Sequence, residues 1–105
     1  MEHLNPLIAD IEALAPEFTA LSDSIWDEPE LRWEEHAAVA QQIAMAEKYG
    51  FSITRNVAGI PTAFSAEKGS AGPLIAFLGE YDALAELSQI SGKPERCPDP
   101  DNHSG

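Results

Sequence analysis

Apolar residues in the first part of the chain recur at the spacing of a helix. From Leu7 to Ile25 they follow one another at steps of three and four residues, which is the pattern of a helix with one apolar face. Asn5 can cap this helix, and Pro6 suits its first turn, where a missing N–H costs nothing. Pro16 lies within the pattern without changing its phase, so we expect a kink there, or two short helices in register.

A second helix is predicted between Pro29 and Gly50. Pro29 disfavours helical geometry at the residue before it and can open a helix after it. The segment that follows is rich in alanine, which has a high helix propensity. Glu34 and Glu35 lie towards its beginning and Lys48 in its last turn, which suits the helix dipole. Gly50 stands where a left-handed helix cap is expected.

Beyond the second helix the pattern changes to that of β-strands. Phe51, Ile53, Arg55 and Val57 alternate with the small polar residues between them, which predicts a half-buried strand. A turn at 58–61 leads to a second predicted strand at 62–66, and residues 68–73 predict another turn, interpreted as that of a hairpin. Residues 74–78, Leu-Ile-Ala-Phe-Leu, form a continuous apolar run. Such a run is typical of a strand that is covered on both faces.

The predicted order is helix, helix, strand, strand, strand, which indicates an α/β fold. A strand covered on both faces needs a layer on each side of its sheet, and two helices and a hairpin cannot easily provide both. We therefore expect the sheet to continue in chain that this sequence does not contain. Residues 91–105 contain three prolines and no periodicity, so we expect a loop or a disordered tail there, beside a folded part at 1–90.

The composition restricts the possible partners. The chain has 105 residues, with 18 Asp and Glu against 6 Lys and Arg, and a formal charge of −12. This balance argues against nucleic acid and against an anionic membrane surface, since both need a basic face. No signal peptide is visible at the N-terminus, and no apolar run approaches the roughly 20 residues that span a bilayer. With Cys97 as the single cysteine, we expect a cytoplasmic protein without disulfides.

Two carboxylates are the first candidates for chemistry. Glu80 and Asp82 come just after the predicted buried strand. In open α/β sheets this end of a strand is where ligands bind, and carboxylates there can bind a cation or orient a metal-bound imidazole. On spacing alone, a solvated strand end is the more frequent reason for such a pair. Both interpretations therefore stay open at this point.

Other residues that could bind a metal ion are weaker candidates. Cys97 and His103 are separated by five residues, which is not a usual zinc arrangement, and a zinc site needs three or four ligands. His3 lies near the N-terminus and His36 in the second predicted helix. We interpret these side chains as solvent-exposed or packing residues.

Four segments occur together in an order that is specific. They are Ser24–Leu31 (SIWDEPEL), the pair Glu34-Glu35, Ala58–Phe64 (AGIPTAF) and Leu78–Leu84 (LGEYDAL) followed by Leu87–Gln89. In this combination the chain resembles the aminobenzoyl-glutamate utilization protein B group. These are amidohydrolases of the aminoacylase and carboxypeptidase-type zinc metallopeptidase superfamily. The chain departs from the group at Ala85, where a proline is usual, and this would loosen the turn after Asp82.

The resemblance implies that residues 1–90 are the N-terminal part of a three-layer α/β/α catalytic domain. In the superfamily the matching strand ends in His-x-Asp, and Asp82 matches the aspartate that orients the metal site. Glu80 stands at the position of the histidine, so its role stays open. Full-length relatives would use zinc or manganese to hydrolyse an aminoacyl or aminobenzoyl-glutamate amide. The ligands and the general base would lie further along, so we expect no cofactor and no activity in this chain alone.

Two other hypotheses remain open. The first is a small acidic, non-catalytic domain that binds a protein partner through its uncovered sheet, which would expose a strand edge or apolar surface. The second is a cation-binding module built on the acidic residues. The chain has no Asp-x-Asp-x-Asp-Gly spacing, which makes this the weaker of the two.

Overall fold

The computed structural model describes residues 4–102, which form two helices and a small sheet. The helices are α1 (Leu4–Asp27) and α2 (His36–Lys48), and the strands are β1 (Ser52–Arg55) and β2 (Phe64–Glu67). The strands are antiparallel, with Ser52 opposite Glu67 and Arg55 opposite Phe64. A single 3-10 turn, Val57–Gly59, lies within the connection between them. The predicted α/β class and the two N-terminal helices are confirmed.

Helix α1 is a single helix across Pro16, so the expectation of two short helices at this proline is wrong. Four side chains form its contact with the end of α2. The ring of Phe18 stacks on that of Tyr49, with 5.7 Å between the centroids. The Glu17 carboxylate accepts hydrogen bonds from Tyr49 and from the ammonium group of Lys48. No described side chain of α1 is fully buried, so the apolar face predicted for this helix is largely exposed to solvent.

Helix α2 ends as predicted and supplies the core. Gly50 adopts a left-handed conformation, with φ of +80°. Its N–H donates to the carbonyl of Glu47, and the N–H of Phe51 donates to that of Ala46, which is the Schellman arrangement of a helix end. The buried apolar side chains among the described residues all lie on α2, which packs against the sheet: Ala38, Val39 and Ile43.

The third predicted strand does not form. Residues 74–78 have no regular structure, and the sheet of the described chain contains β1 and β2 alone. A strand needs neighbours to which its N–H and C=O groups can hydrogen bond, and residues 4–102 place none beside this run. Within the turn predicted at 68–73, residues 70–72 form a bend, but the interpretation of this turn as part of a hairpin is wrong. The hairpin is β1–β2, closed by residues 56–63.

The last described residues are organised around two polar side chains. The Gln89 amide donates to the carbonyl of Glu95 at 2.9 Å and accepts from the N–H of Cys97 at 2.9 Å. The Ser88 hydroxyl lies 3.2 Å from both the N–H and the carbonyl oxygen of Asp99. These contacts fold residues 88–99 into a closed loop. The division into a folded part at 1–90 and a tail at 91–105 stays a prediction.

Candidate functional site

Glu30 determines where α2 begins. Its carboxylate accepts hydrogen bonds from the N–H groups of Ala37 at 2.9 Å and Ala38 at 2.8 Å. These N–H groups belong to the first turn of a helix, where no carbonyl of the helix can accept them. The negative charge also interacts favourably with the positive end of the helix dipole. The helix therefore begins at His36, and the prediction that Pro29 opens it is wrong.

The backbone of the same residue holds the segment that carries the candidate carboxylates. The carbonyl oxygen of Glu30 accepts a 2.7 Å hydrogen bond from the N–H of Ala83. Leu31 and Ala83 form an isolated parallel β-bridge. Residues 79–84 are thus fixed at one point against the chain that precedes α2. Asp82 is the residue immediately before that point.

Tyr81 provides a second attachment for this segment. Its hydroxyl donates a hydrogen bond to the backbone carbonyl of Thr62, in the connection between β1 and β2. Burial, together with the negative charges of Glu35 and Glu30, raises the pKa of Tyr81 above its usual value. The hydroxyl therefore keeps its proton, and remains a donor, at neutral pH.

Glu35 is a buried carboxylate beneath this attachment. It is only 8% exposed, and Thr62 is only 5% exposed. Burial acts to raise the pKa of Glu35, but hydrogen bonds from the Thr62 side chain and from the backbone at Glu35 and Trp33, with the charge of His36, hold it below its usual value. The side chain is therefore ionised at neutral pH. Its Oε2 atom has no hydrogen-bond partner among the described residues.

The two candidate carboxylates open onto different clefts. Asp82 lines a cleft of about 520 Å³ together with Trp26, Leu84 and Ser88. Glu80 lines a smaller cleft of about 270 Å³, and both side chains are exposed. Their placement at one functional edge stays a prediction, since the strand that would define this edge does not form.

Sequence reasoning did not assign Glu30, Thr62 and Tyr81 to the site. All three lie within the segments that carry the resemblance, and Glu30 and Tyr81 lie within two residues of Glu28 and Asp82. No local signal identified Glu30, because its carboxylate reaches N–H groups seven and eight residues ahead, whereas a helix-capping side chain normally reaches those two or three residues ahead. Glu35 was predicted only as an acidic residue near a helix start.

The candidate metal ligands do not come together in the part of the chain that the structure describes. Within residues 4–102, no three His, Cys, Asp or Glu side chains are arranged to hold a metal ion. Cys97 is a free, half-buried thiol, and His36 is exposed. His3 and His103 lie outside the described residues. The described site therefore does not fit zinc or manganese, and we derive no metal-dependent step for it.

The similarity to known proteins covers the whole of this site. The chain is 47% identical over 93 residues to a subunit of p-aminobenzoyl-glutamate hydrolase from Escherichia coli (strain K12), with 88% of the chain and 19% of that protein aligned. The chain is a relative of this hydrolase subunit. An aligned span of that length includes residues 30–84 wherever it begins. The resemblance predicted from the sequence is thus confirmed.

A second similar protein comes from an animal. The chain is 39% identical over 92 residues to Xaa-Arg dipeptidase of Mus musculus, with 78% of the chain and 21% of that protein aligned. The chain thus spans about a fifth of the length of the curated relatives it matches. No protein-family model matches it, and no solved structure does. Within residues 4–102, no helix is both long and apolar enough to cross a membrane.

Proposed function

We propose that the chain is part of an amide-hydrolysing enzyme of the p-aminobenzoyl-glutamate hydrolase type. The observation that carries this proposal is the segment 79–84. It is anchored by Ala83 to Glu30 and by Tyr81 to Thr62, and it lies in a region aligned with the bacterial hydrolase. The names of the two relatives, a hydrolase of an aminobenzoyl-glutamate and a dipeptidase, favour an amide or peptide substrate.

Asp82 is the residue to which we assign a role in such an enzyme. Its carboxylate is exposed and lines the 520 Å³ cleft, while the backbone beside it is held by Glu30. A carboxylate on a fixed backbone can accept a hydrogen bond and so orient the group that donates it. The donor would come from the remaining four-fifths of the enzyme. Glu80, whose backbone is one residue from Tyr81, is a second candidate.

The first experiment tests the chain alone. The purified chain is incubated with p-aminobenzoyl-glutamate and either zinc or manganese, and release of p-aminobenzoate is measured. Because the described residues bring no metal site together, we expect release no faster than with the metal salt alone. Turnover well above that control would contradict the proposal that the chain needs the rest of an enzyme.

The second experiment tests the function itself. The segment of the Escherichia coli hydrolase that aligns with the chain is replaced by residues 1–105, and hydrolysis by the chimera is measured. We expect an active chimera. In it, Asp82→Asn should lower kcat by about 10- to 100-fold, the usual effect of losing a group that orients a ligand.

A matched control separates the proposed function of the chain from the proposed role of Asp82. Glu67→Gln also neutralises one exposed carboxylate, at the end of β2 and away from the cleft, and should leave kcat unchanged. A chimera that folds but hydrolyses nothing would contradict the proposed function. An active chimera in which the two substitutions behave alike would contradict only the role of Asp82.

A further inference from the structure

The carboxylate of Glu35 is buried at a cost in free energy. It is only 8% exposed, and its Oε2 atom has no hydrogen-bond partner among the described residues. Burial of a charged group is unfavourable unless hydrogen bonds replace the water that it loses. A group buried in this way calls for an explanation other than packing. Its contacts supply one, because the two attachments of the segment 79–84 both lead back to this carboxylate.

The first attachment reaches Glu35 through Thr62. The side chain of this buried threonine donates a hydrogen bond to the Glu35 carboxylate. The backbone carbonyl of the same threonine accepts the hydrogen bond from the Tyr81 hydroxyl. Thr62 therefore binds Glu35 with its hydroxyl and Tyr81 with its carbonyl oxygen. A displacement of the carboxylate would move the acceptor on which Tyr81 depends.

The second attachment reaches Glu35 through the turn that precedes α2. The N–H of Glu34 donates to the carbonyl of Leu31 at 3.0 Å, and Leu31 is the residue that bridges Ala83. Within this turn Trp33 has φ of +73°, which is uncommon for a residue other than glycine and persists only where its surroundings hold it. The Glu35 carboxylate accepts a hydrogen bond from the N–H of Trp33. It thus stabilises the turn that carries the partner of Ala83.

We propose that Glu35 is the positioning residue for Asp82. Asp82 lies between Tyr81 and Ala83, the two residues through which the segment 79–84 is attached. Because the backbone is fixed on both sides of Asp82, the direction in which its side chain leaves the backbone is fixed as well. The use of that direction in hydrolysis rests on the proposed function, whereas the anchoring itself is a property of the described chain.

Hydrogen exchange of the chain alone tests the anchoring. Glu35→Gln keeps the size of the side chain and removes its charge, which weakens the hydrogen bonds that it accepts. Exchange at the N–H of Ala83 should become about tenfold faster, whereas exchange at the N–H of Ile43, in the buried part of α2, should not change. Glu34→Gln neutralises the exposed glutamate one residue earlier and should change neither. Unchanged exchange at Ala83, or an equal acceleration at Ile43, would overturn the proposal.

Kinetics of the chimera with the Escherichia coli hydrolase test the effect on Asp82. Glu35→Gln should lower kcat about tenfold, the lower end of the effect of losing an orienting partner, and should leave KM unchanged. In combination with Asp82→Asn, the same substitution should lower kcat by no more than about twofold, since the side chain that it positions is already lost. An equal loss with and without Asp82→Asn would indicate a general structural effect and contradict the assignment.

Thr62 supplies a second pair of variants, which leave the carboxylate in place. Thr62→Val removes the hydroxyl and keeps the backbone carbonyl that binds Tyr81, so kcat should fall about fivefold. Thr62→Ser keeps the hydroxyl and should retain most of the activity. Equal losses in the two variants would exclude the hydroxyl as the link and count against the proposal. A chimera that folds but is inactive would contradict the proposed function, and exchange at Ala83 would still decide the role of Glu35.

Discussion

The backbone carbonyl of Glu30 accepts a 2.7 Å hydrogen bond from the N–H of Ala83. The carboxylate of the same glutamate accepts hydrogen bonds from N–H groups in the first turn of α2. One residue therefore connects the beginning of a helix to the segment that carries Asp82. This connection joins parts of the chain that are more than fifty residues apart, and it holds the segment that carries Asp82 close to the start of α2.

Replacement of Glu30 by alanine should destabilise the fold. The substitution removes both acceptors from the first turn of α2 and leaves the backbone contact to Ala83 in place. Loss of a helix cap typically costs about 1–2 kcal/mol of the free energy of unfolding, and urea denaturation measures it. Glu28→Ala removes an exposed glutamate two residues earlier and should cost about 0.5 kcal/mol or less. Equal effects of the two substitutions would contradict the capping role.

Local patterns in the sequence predict the helical part of the molecule well. The spacing from Leu7 to Ile25 predicts α1, and Gly50 predicts the end of α2. Both signals act within one or two turns of a helix, so they do not depend on the rest of the chain. The start of α2 depends instead on a side chain six residues before it, since Glu30 reaches Ala37 and Ala38. That contact is not visible in the apolar pattern.

The candidate site was predictable only in part for a related reason. The resemblance identifies the segment with Glu80 and Asp82, but not the residues that hold it. The contact of Tyr81 with Thr62 joins two segments 19 residues apart, and no periodicity relates such positions. The run at 74–78 has the composition of a covered strand, yet a strand forms only where partners exist. The composition of a segment indicates that it would be buried, but it does not show which strands would lie beside it.

Alanine at Gly50 should weaken the end of α2. Gly50 has φ of +80°, whereas a built Cβ would meet nothing closer than the Lys68 side chain at 3.6 Å. The cost is therefore conformational rather than steric, and a left-handed residue other than glycine costs about 1–2 kcal/mol. Gly79→Ala is the matched control, since Gly79 has no positive φ and nothing lies within 4 Å of its built Cβ. Thermal denaturation should show a lower Tm for the first variant alone.

The stability of the fold should fall in alkaline solution because of Tyr81. Burial, with the charges of Glu35 and Glu30, raises its pKa above the ordinary value of 10.0. A raised pKa in the folded state means that the contribution is fully present below about pH 10 and is lost as pH rises through the folded pKa. The chain has 2 tyrosines, so Tyr49→Phe leaves Tyr81 as the only one.

Ultraviolet absorbance of tyrosinate then reports this group directly. In Tyr49→Phe, the folded chain should ionise at a higher pH than the same chain in urea. Tyr81→Phe should cost about 1 kcal/mol at neutral pH, the usual value of one hydrogen bond, and should remove the part of the alkaline loss that Tyr81 causes. Identical titration curves for the folded and unfolded chains would contradict the partly buried position of this hydroxyl.

The same substitution at two isoleucines should give opposite results. Ile43 is 2% exposed in the core beneath the sheet, whereas Ile75 is 74% exposed in the uncovered run. Ile43→Ala should lower the free energy of unfolding by about 2–5 kcal/mol, because it removes buried methyl groups and leaves a cavity. Ile75→Ala removes the same atoms from a position that packs against almost nothing, so its effect should stay within about 0.5 kcal/mol. Urea denaturation of both variants tests this contrast, and a large loss at Ile75 would mean that the run is covered in the chain alone.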